Sequence, residues 1–182
     1  MISDNDLYKQ FLSGNILSFE ELVLRHKDNL IYFLQRYVND LYIAEDIAQD
    51  AFVYIYVYKD KFNFKFNIKT FIYTIAKNKA IDYIRKNSKT VSIEGYEDLE
   101  LQENELEKKI IQNEEKRIVN EAIKRLKKDY QAALFLIDFQ EFSYSEAAKI
   151  LGKSLPQFRI LIFRARKSLK SLLEKEGYVY EK

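Results

Sequence analysis

Apolar residues recur at helical spacing along most of the chain, and polar turn residues separate the runs. In the N-terminal half this pattern predicts four helices, over about 4–12, 19–38, 42–58 and 68–86. A capping box of Ser18 and Glu21 is expected to open the second helix. The third helix carries a continuous apolar stripe, formed by Ala44, Ile47, Ala48, Ala51, Phe52 and Ile55. Four glycines and one proline in 182 residues agree with an all-α fold.

The last third of the chain predicts two helices joined by a tight turn. Ser143 and Glu146 match a capping box at the start of the first helix, and Gly152 is expected to end it. Ser154 can cap the next helix, with Pro156 in its first turn, where a missing amide hydrogen costs nothing. Two short helices in this arrangement predict a helix-turn-helix.

The second helix of that pair has one apolar and one basic face. Phe158, Leu161, Ile162, Ala165, Leu169 and Leu172 fall together, and the opposite face carries Arg159, Ile160, Phe163, Arg164, Arg166, Lys167 and Lys170. Over 152–175, seven cations stand against one anion. The phosphates of duplex DNA fit such a face. The alternative is a solvated basic helix at the end of a bundle.

A second basic region covers the predicted loop 59–67 and the helix after it. Over 61–89, eight cations stand against one anion, and three phenylalanines interleave with them. Lys69, Tyr73 and Lys77 recur every four residues and are expected to share an exposed stripe. Cations, amides and aromatic rings together are typical of single-strand recognition. The alternative is that the phenylalanines are core and the lysines are merely solvated.

Charge changes sign in the middle of the chain. Seven anions and no cation occur over 91–107, which predicts a flexible acidic linker. The expected organisation is therefore two helical domains, residues 1–87 and 110–182, joined by an acidic linker over 88–109.

The outer face of the predicted third helix combines acids with uncovered valines. This face holds Asp46, Gln49, Asp50, Val53 and Val57. One hypothesis is docking on a basic, partly apolar helical partner. The alternative is that another helix of the same domain covers the two valines.

Composition narrows the function classes. The chain has no cysteine and one histidine, His26, which excludes a disulfide scaffold, a thiolate zinc site and a cysteine nucleophile. His26 lies among charged residues and is expected at the surface or its boundary. The polar stretch 3–6 does not match a signal peptide, and no apolar run approaches a membrane span. A cytoplasmic protein is expected.

Three segments, in this order, resemble the extracytoplasmic-function class of bacterial RNA polymerase sigma factors. Residues 44–52, AEDIAQDAF, resemble the family's polymerase-docking segment, and 71–85 resemble its segment for the −10 promoter element. FSYSEAA at 142–148 and RAR at 164–166 resemble the signatures of its −35-reading helix-turn-helix. The resemblance covers nearly the whole chain.

The resemblance implies a role for each surface. The third helix would dock on the clamp helices of the polymerase β′ subunit, and the β subunit, promoter DNA and an anti-sigma factor join the expected partners. The −10 contacts would come from Lys61, Asn63, Lys65, Asn67, Lys69, Tyr73, Lys77, Asn78 and Arg85. The −35 contacts would come from Ser154, Gln157, Arg159, Ile160, Phe163, Arg164, Arg166 and Lys167. Of these, Gln157, Arg159 and Ile160 are the best candidates for base contacts.

Several positions depart from the family pattern. Phe71 replaces a tryptophan, and Lys127 and Gln131 stand where proline and arginine are frequent. Pro156-Gln157 replaces Gly-Thr, and Ile160-Leu161 replaces more polar residues. The −35 sequence preference therefore cannot be transferred by analogy.

The expected function is an alternative sigma factor without catalytic residues, cofactor, metal or small-molecule substrate. A conventional helix-turn-helix regulator is the main alternative, and it would not need the acidic face or the loop of aromatics and amides. A metal-dependent enzyme is a further alternative, suggested only by Asp46 and Asp50, which lack a histidine or third acid nearby.

Overall fold

A computed structural model describes residues 2–88, 114–175 and 177. The chain divides into two compact units, residues 1–102 and 103–182. The described residues are helical with no strand, which confirms the all-α prediction. The predicted acidic linker, beyond residue 88, lies outside the described residues, so the predicted domain boundaries stay predictions.

Over residues 2–88, the described part of the first unit, the chain forms four α-helices. Their bounds are α1 Asp4–Leu12, α2 Ile16–Leu34, α3 Leu41–Val57 and α4 Ile68–Ser88. Helix α1 packs on α2, α2 packs on α3, and α3 packs on α4. Helices α1 and α2 also contact α4. The predicted apolar stripe of α3 is buried along its whole length. Burial of this stripe between α2 and α4 holds the outer face of α3 toward solvent.

The start of α2 differs from the prediction. Asn15 is its N-cap, and the helix begins at Ile16. Ser18 lies inside the helix, where its buried hydroxyl donates to Gln10 Oε1 at 2.8 Å. The predicted capping box of Ser18 and Glu21 is therefore wrong, because Ser18 joins α2 to α1 instead of capping a helix end.

A partly buried polar cluster ties the first turn of α1 to α2. His26 is buried, with Nε2 2.7 Å from Asp4 Oδ2, so the expected surface position is wrong. Arg25 Nη1 donates to Asp4 Oδ1 at 3.0 Å and to the Ile2 carbonyl at 2.8 Å. The hydrogen bond from His26, reinforced by Arg25, lowers the pKa of Asp4 below its usual 3.8.

The described residues of the second unit form four further α-helices, and the last of them contacts the other three. They are α5 Glu114–Lys124, α6 Lys128–Leu134, α7 Tyr144–Leu151 and α8 Leu155–Lys175. A π-helical turn, Phe135–Phe139, extends α6, and Glu141 follows it with a positive φ of 57°. Helices α5, α6 and α7 all pack on α8. The buried face of α8 is therefore fixed, and its other face is presented outward.

Lys127 and Gln131, which depart from the family pattern, are both compatible with the turn before α6. Lys127, at its N-cap, has φ −58°, a value that proline also adopts. The buried side chain of Gln131 donates from Nε2 to the carbonyls of Lys124 and Leu126, both at 2.9 Å. These bonds satisfy the carbonyl of the last residue of α5, which has no partner within the helix, and a carbonyl of the turn that follows.

Within the described ranges, none of the helices is long and apolar enough to cross a membrane. Among the same described residues, no group of three or more histidine, aspartate or glutamate side chains is arranged to hold a metal ion.

Candidate nucleic-acid and protein interfaces

The outer face of α3 is open to solvent. Asp46, Gln49 and Asp50 are exposed, and Val53 and Val57 are 53% and 60% exposed. No other described helix of the unit covers the two valines, so that alternative is wrong. Acids and apolar side chains share one accessible surface, as a docking face requires.

An apolar groove of about 380 Å³ runs beside this face, between α2 and α3. Its lining from α2 is Phe19, Val23, Lys27 and Ile31, and its lining from α3 is Glu45, Ala48, Gln49, Phe52, Val53 and Tyr56. The sequence reasoning missed the groove, although the α2 residues recur every four positions. Gln49 and Val53 therefore belong both to the predicted face and to the groove wall.

The segment joining α3 to α4 divides its aromatics between core and surface. It opens with a short 3₁₀ turn, Lys59–Lys61. Phe62 is buried, whereas Phe64 and Phe66 are 41% and 48% exposed. The alternative that places the phenylalanines in the core therefore holds only for Phe62. Two rings remain accessible for stacking.

Two asparagines of this loop hold its backbone in a defined shape. Asn63 Oδ1 accepts from the Lys65 amide at 3.0 Å, and Asn67 Oδ1 accepts from the Lys69 amide at 2.9 Å. Both asparagines are exposed. Because the carbonyl oxygens accept from the backbone, the NH₂ groups are the side-chain atoms left to donate hydrogen bonds to a ligand.

Helix α1 brackets the loop at both ends, which the sequence reasoning did not foresee. Tyr8 Oη donates to the Lys59 carbonyl at 3.0 Å, and Asn5 Oδ1 accepts from the Ile68 amide at 2.8 Å. The Tyr8 ring also packs edge-on against Phe62 with centroids 5.2 Å apart. Neither end of the loop can move without disturbing α1. No local pattern signals this, because the partners lie 51 and 63 residues apart.

Tyr73 is not part of a DNA-facing stripe. Its side chain is fully buried, with its ring centroid 5.3 Å from that of Phe33, and burial raises the pKa of its hydroxyl. Because α4 packs on α1, α2 and α3, its buried face is too wide to leave this position exposed. The prediction that Tyr73 contacts DNA is wrong.

The other predicted −10 residues reach the surface. Lys61, Asn63, Lys65, Asn67, Asn78 and Arg85 are exposed, and Lys69 and Lys77 are half-buried. Lys61 Nζ lies 4.2 Å from the centre of the Tyr58 ring. The structure therefore keeps cations and amides together over the loop and one side of α4.

The turn between α7 and α8 forms as predicted. Ser143 and Glu146 make the reciprocal capping box, and Gly152 ends α7 with φ 66°. Ser154 caps α8 as predicted, since its Oγ accepts from Gln157 N at 3.4 Å. The return bond, from Ser154 N to Gln157 Oε1 at 2.9 Å, was not predicted. The Gln157 side chain, which is predicted to contact a base, therefore also caps the start of α8.

The outer face of α8 is exposed to solvent. The predicted −35 residues Ser154, Gln157, Arg159, Ile160, Phe163, Arg164, Arg166 and Lys167 are all exposed. Ile160 is 53% exposed and Phe163 is 68% exposed. On the opposite side Phe158, Ile162 and Ala165 are buried. The helix therefore presents a mixed basic and apolar surface to solvent.

Arg166 also has a role within its unit. Its Nη2 lies 2.6 Å from Asp138 Oδ1, and its Nη1 donates to Tyr144 Oη at 3.3 Å. The hydrogen bond to Asp138 raises the pKa of the guanidinium. This network ties α8 to the π-helical turn and to α7, so Arg166 orients the helix-turn-helix besides adding charge.

Comparison with known families and proteins agrees with this layout. Residues 22–90 match the family model Sigma-70 region 2, and residues 116–169 match Sigma-70, region 4. The first match covers α3, the loop and α4, and the second covers most of α5 through α8.

Individual relatives cover most of the chain. RNA polymerase sigma factor YlaC of Bacillus subtilis is 30% identical over 167 residues, covering 87% of this chain and 93% of its own length. The ECF RNA polymerase sigma factor SigM of the same organism is 29% identical over 158 residues, covering 86% and 95%. The structure of RpoE of Bartonella quintana, solved with the anti-sigma factor NepR, superposes with TM-score 0.65 at 25% identity. That comparison covers 87% of this chain and 98% of RpoE.

The chain therefore belongs to the sigma-70 family of RNA polymerase sigma factors, in its extracytoplasmic-function class. It is an alternative sigma factor that binds core RNA polymerase and promoter DNA and directs promoter-specific initiation of transcription.

Proposed function

We propose that helices α7 and α8 of this sigma factor bind the −35 promoter element, with α8 in the major groove. The observation that carries this assignment is the outer face of α8, where Arg159, Arg164 and Lys167 are exposed around Ile160 and Phe163. Phosphate contacts by the cations would fix the helix on the duplex, and the residues between them would read base edges.

The loop before α4 captures the unpaired −10 strand. The exposed amides of Asn63 and Asn67, held by their own backbone bonds, supply directed donors for flipped bases. Phe64 and Phe66 supply stacking surfaces, and Lys61 and Lys65 supply charge. Tyr73 has no part in this role, because it is buried.

The outer face of α3 docks on the clamp helices of the polymerase β′ subunit. Asp46 and Asp50 would meet basic side chains of that partner, and Val53 and Val57 would lose their exposure in the complex. The adjoining apolar groove enlarges the surface that a helical partner can cover. In this proposal residues 1–87 serve the polymerase and the −10 element, and residues 110–182 serve the −35 element.

The protein acts in the cytoplasm and does no covalent chemistry itself, leaving catalysis to the polymerase. An anti-sigma factor holds it inactive by covering the α3 face, a proposal supported by the similar RpoE, which was solved with the anti-sigma factor NepR. Affinity purification from its native host should yield a stoichiometric inhibitor. Recovery of the protein free of any inhibitor, with the α3 face accessible to core polymerase, would contradict this part.

Transcription in vitro tests the proposed function directly. Purified protein and sigma-free core polymerase are incubated with a fragment from upstream of the protein's own gene. Specific transcripts are expected only when both components are present. Binding of the duplex without core binding or initiation would instead indicate a conventional helix-turn-helix regulator, which needs neither the acidic α3 face nor the −10 loop.

A further inference from the structure

Two large apolar side chains occupy the centre of the basic face of α8. Ile160 and Phe163 are 53% and 68% exposed, whereas Phe158, Ile162 and Ala165 on the other side of this helix are buried. Single exposed apolar residues are common on protein surfaces. Ile160 and Phe163 differ from such residues in their position, because they lie opposite the buried face of α8 and are surrounded by cationic side chains.

Helical geometry shows how the cations surround them. At about 100° per residue, Ile160 and Phe163 lie about 60° apart around the helix axis. Arg159 lies about 40° beyond Phe163 on one side, and Arg164 lies about 40° beyond Ile160 on the other. A helix lying in the major groove has phosphates on both sides and bases in front. The two arginines match the phosphates, so the apolar pair faces the bases.

The polar groups on base edges would be poor partners for this pair. An isoleucine and a phenylalanine cannot hydrogen-bond the acceptors and donors of guanine, cytosine or adenine. The one apolar group in the major groove is the C5 methyl of thymine. Contact with a methyl group would bury apolar surface on both molecules, whereas contact with a polar edge would leave that edge unsatisfied.

We propose that Ile160 and Phe163 make this sigma factor select thymines in its −35 element by contact with their C5 methyl groups. The inference rests on the proposed placement of α8 in the −35 major groove. Both residues lie in the N-terminal half of α8, the part of a recognition helix that reaches base edges. The cations give affinity for any duplex, and the apolar pair gives preference among sequences.

The test changes a single methyl group at a time. Holoenzyme made from the full chain and core polymerase first enriches −35 sequences from a randomised promoter library. Each thymine of the enriched element is then replaced by deoxyuridine, which lacks only the C5 methyl. Binding is measured by competition between the two promoter fragments. At one or two positions the replacement should weaken binding about fourfold per methyl group, the amount expected from burying one such group.

Variants of the protein assign the effect to these residues. In Ile160→Ser with Phe163→Ser, the thymine and deoxyuridine promoters should bind equally. Ile160→Val with Phe163→Leu should restore the preference, because it keeps apolar contact atoms. All four substitutions are at exposed positions outside the core, and circular dichroism of each variant verifies the helical content.

Each alternative outcome has a defined meaning. If no −35 sequence is enriched, the proposed −35 function fails and this inference fails with it. If a sequence is enriched but deoxyuridine binds as well as thymine, the inference alone is overturned. The same holds if the serine variant keeps the full thymine preference. The inference is likewise overturned if the serine variant loses affinity for core polymerase while its DNA binding is unchanged, because Ile160 and Phe163 would then face the polymerase.

Discussion

Gly152 ends α7 with a left-handed backbone, and the geometry of the helix-turn-helix depends on it. Its φ is 66°, and its amide donates to the Ala148 and Lys149 carbonyls. Any residue with a Cβ is strained in this conformation, asparagine less than alanine.

Gly152→Ala should therefore destabilise the second unit by about 1 kcal/mol, and Gly152→Asn by less. Amide hydrogen exchange of peptides from α7 and α8 in the full chain measures this, because it reports on that unit alone. Equal exchange in the alanine variant and the wild type would contradict the prediction.

Asp4 makes the attachment of α1 to α2 dependent on pH. Because its folded-state pKa lies below 3.8, its contribution to stability is complete above that value. The contribution is lost as the pH falls through the lower folded-state pKa.

Asp4→Asn should lower the stability of the first unit at pH 7 by about 1 kcal/mol, allowing for partial solvent exposure. The wild type and variant should converge as the pH approaches about 3. Amide exchange of peptides from α1 and α2, measured over a pH series, gives both values. Asp28→Asn is the matched control, since it removes an exposed carboxylate from α2. A difference that stays constant across the pH series would refute the linkage.

Single residues also mark where sequence reasoning fails. Ser18 has the sequence context of a cap but is buried against Gln10, and Tyr73 has the spacing of a surface stripe but packs on Phe33. In both cases a partner on another helix decides the outcome. Gly152 and the Ser143–Glu146 box were predicted correctly because their hydrogen bonds lie within a few residues.

At the scale of elements, α1 sets the shape of the −10 loop through Asn5 and Tyr8. Asn5→Ala with Tyr8→Phe removes the bonds to Ile68 and Lys59 while keeping the aromatic ring that packs on Phe62. The loop would sample more conformations and would have to be ordered on binding.

Binding of the variant holoenzyme to a single-stranded −10 oligonucleotide should weaken about three- to tenfold, equivalent to one or two neutral hydrogen bonds. Core affinity and −35 duplex binding should not change. Tyr42→Phe is the control, because it also removes a tyrosine hydroxyl, from a side chain that is 72% exposed. Unchanged −10 binding in the double variant would show that α1 does not position the loop.

Helices themselves were largely predictable, whereas the surfaces between them were not. The stripe of α3 follows from a 3.6-residue period, and all of its members are buried as predicted. The groove between α2 and α3 depends on how two helices meet, which periodicity does not specify. The π-helical turn at Phe135–Phe139 contains no glycine, proline or asparagine that would predict it from the sequence.

The whole molecule is nearly neutral, with a formal net charge of +2, yet its charge is segregated. The candidate docking face of α3 is acidic, and the outer face of α8 is basic. The two faces belong to different compact units. Polymerase binding and duplex binding should therefore be separable by substitution.

Asp46→Arg with Asp50→Arg should weaken core polymerase binding at least a hundredfold, because charge reversal places like charges against a basic partner. Binding of −35 duplex by the full chain should not be weakened. Asp28→Arg with Glu121→Arg is the control with the same change in net charge at exposed positions elsewhere. Core affinity equal to that of the control would remove the docking assignment.

The bracket that α1 places on the −10 loop also bears on engineering. Exchanging the loop alone between two relatives would move its sequence but leave behind the side chains that hold its ends, Asn5 and Tyr8. A chimera designed for a new promoter should therefore transplant two separate segments, the loop and the helix that frames it.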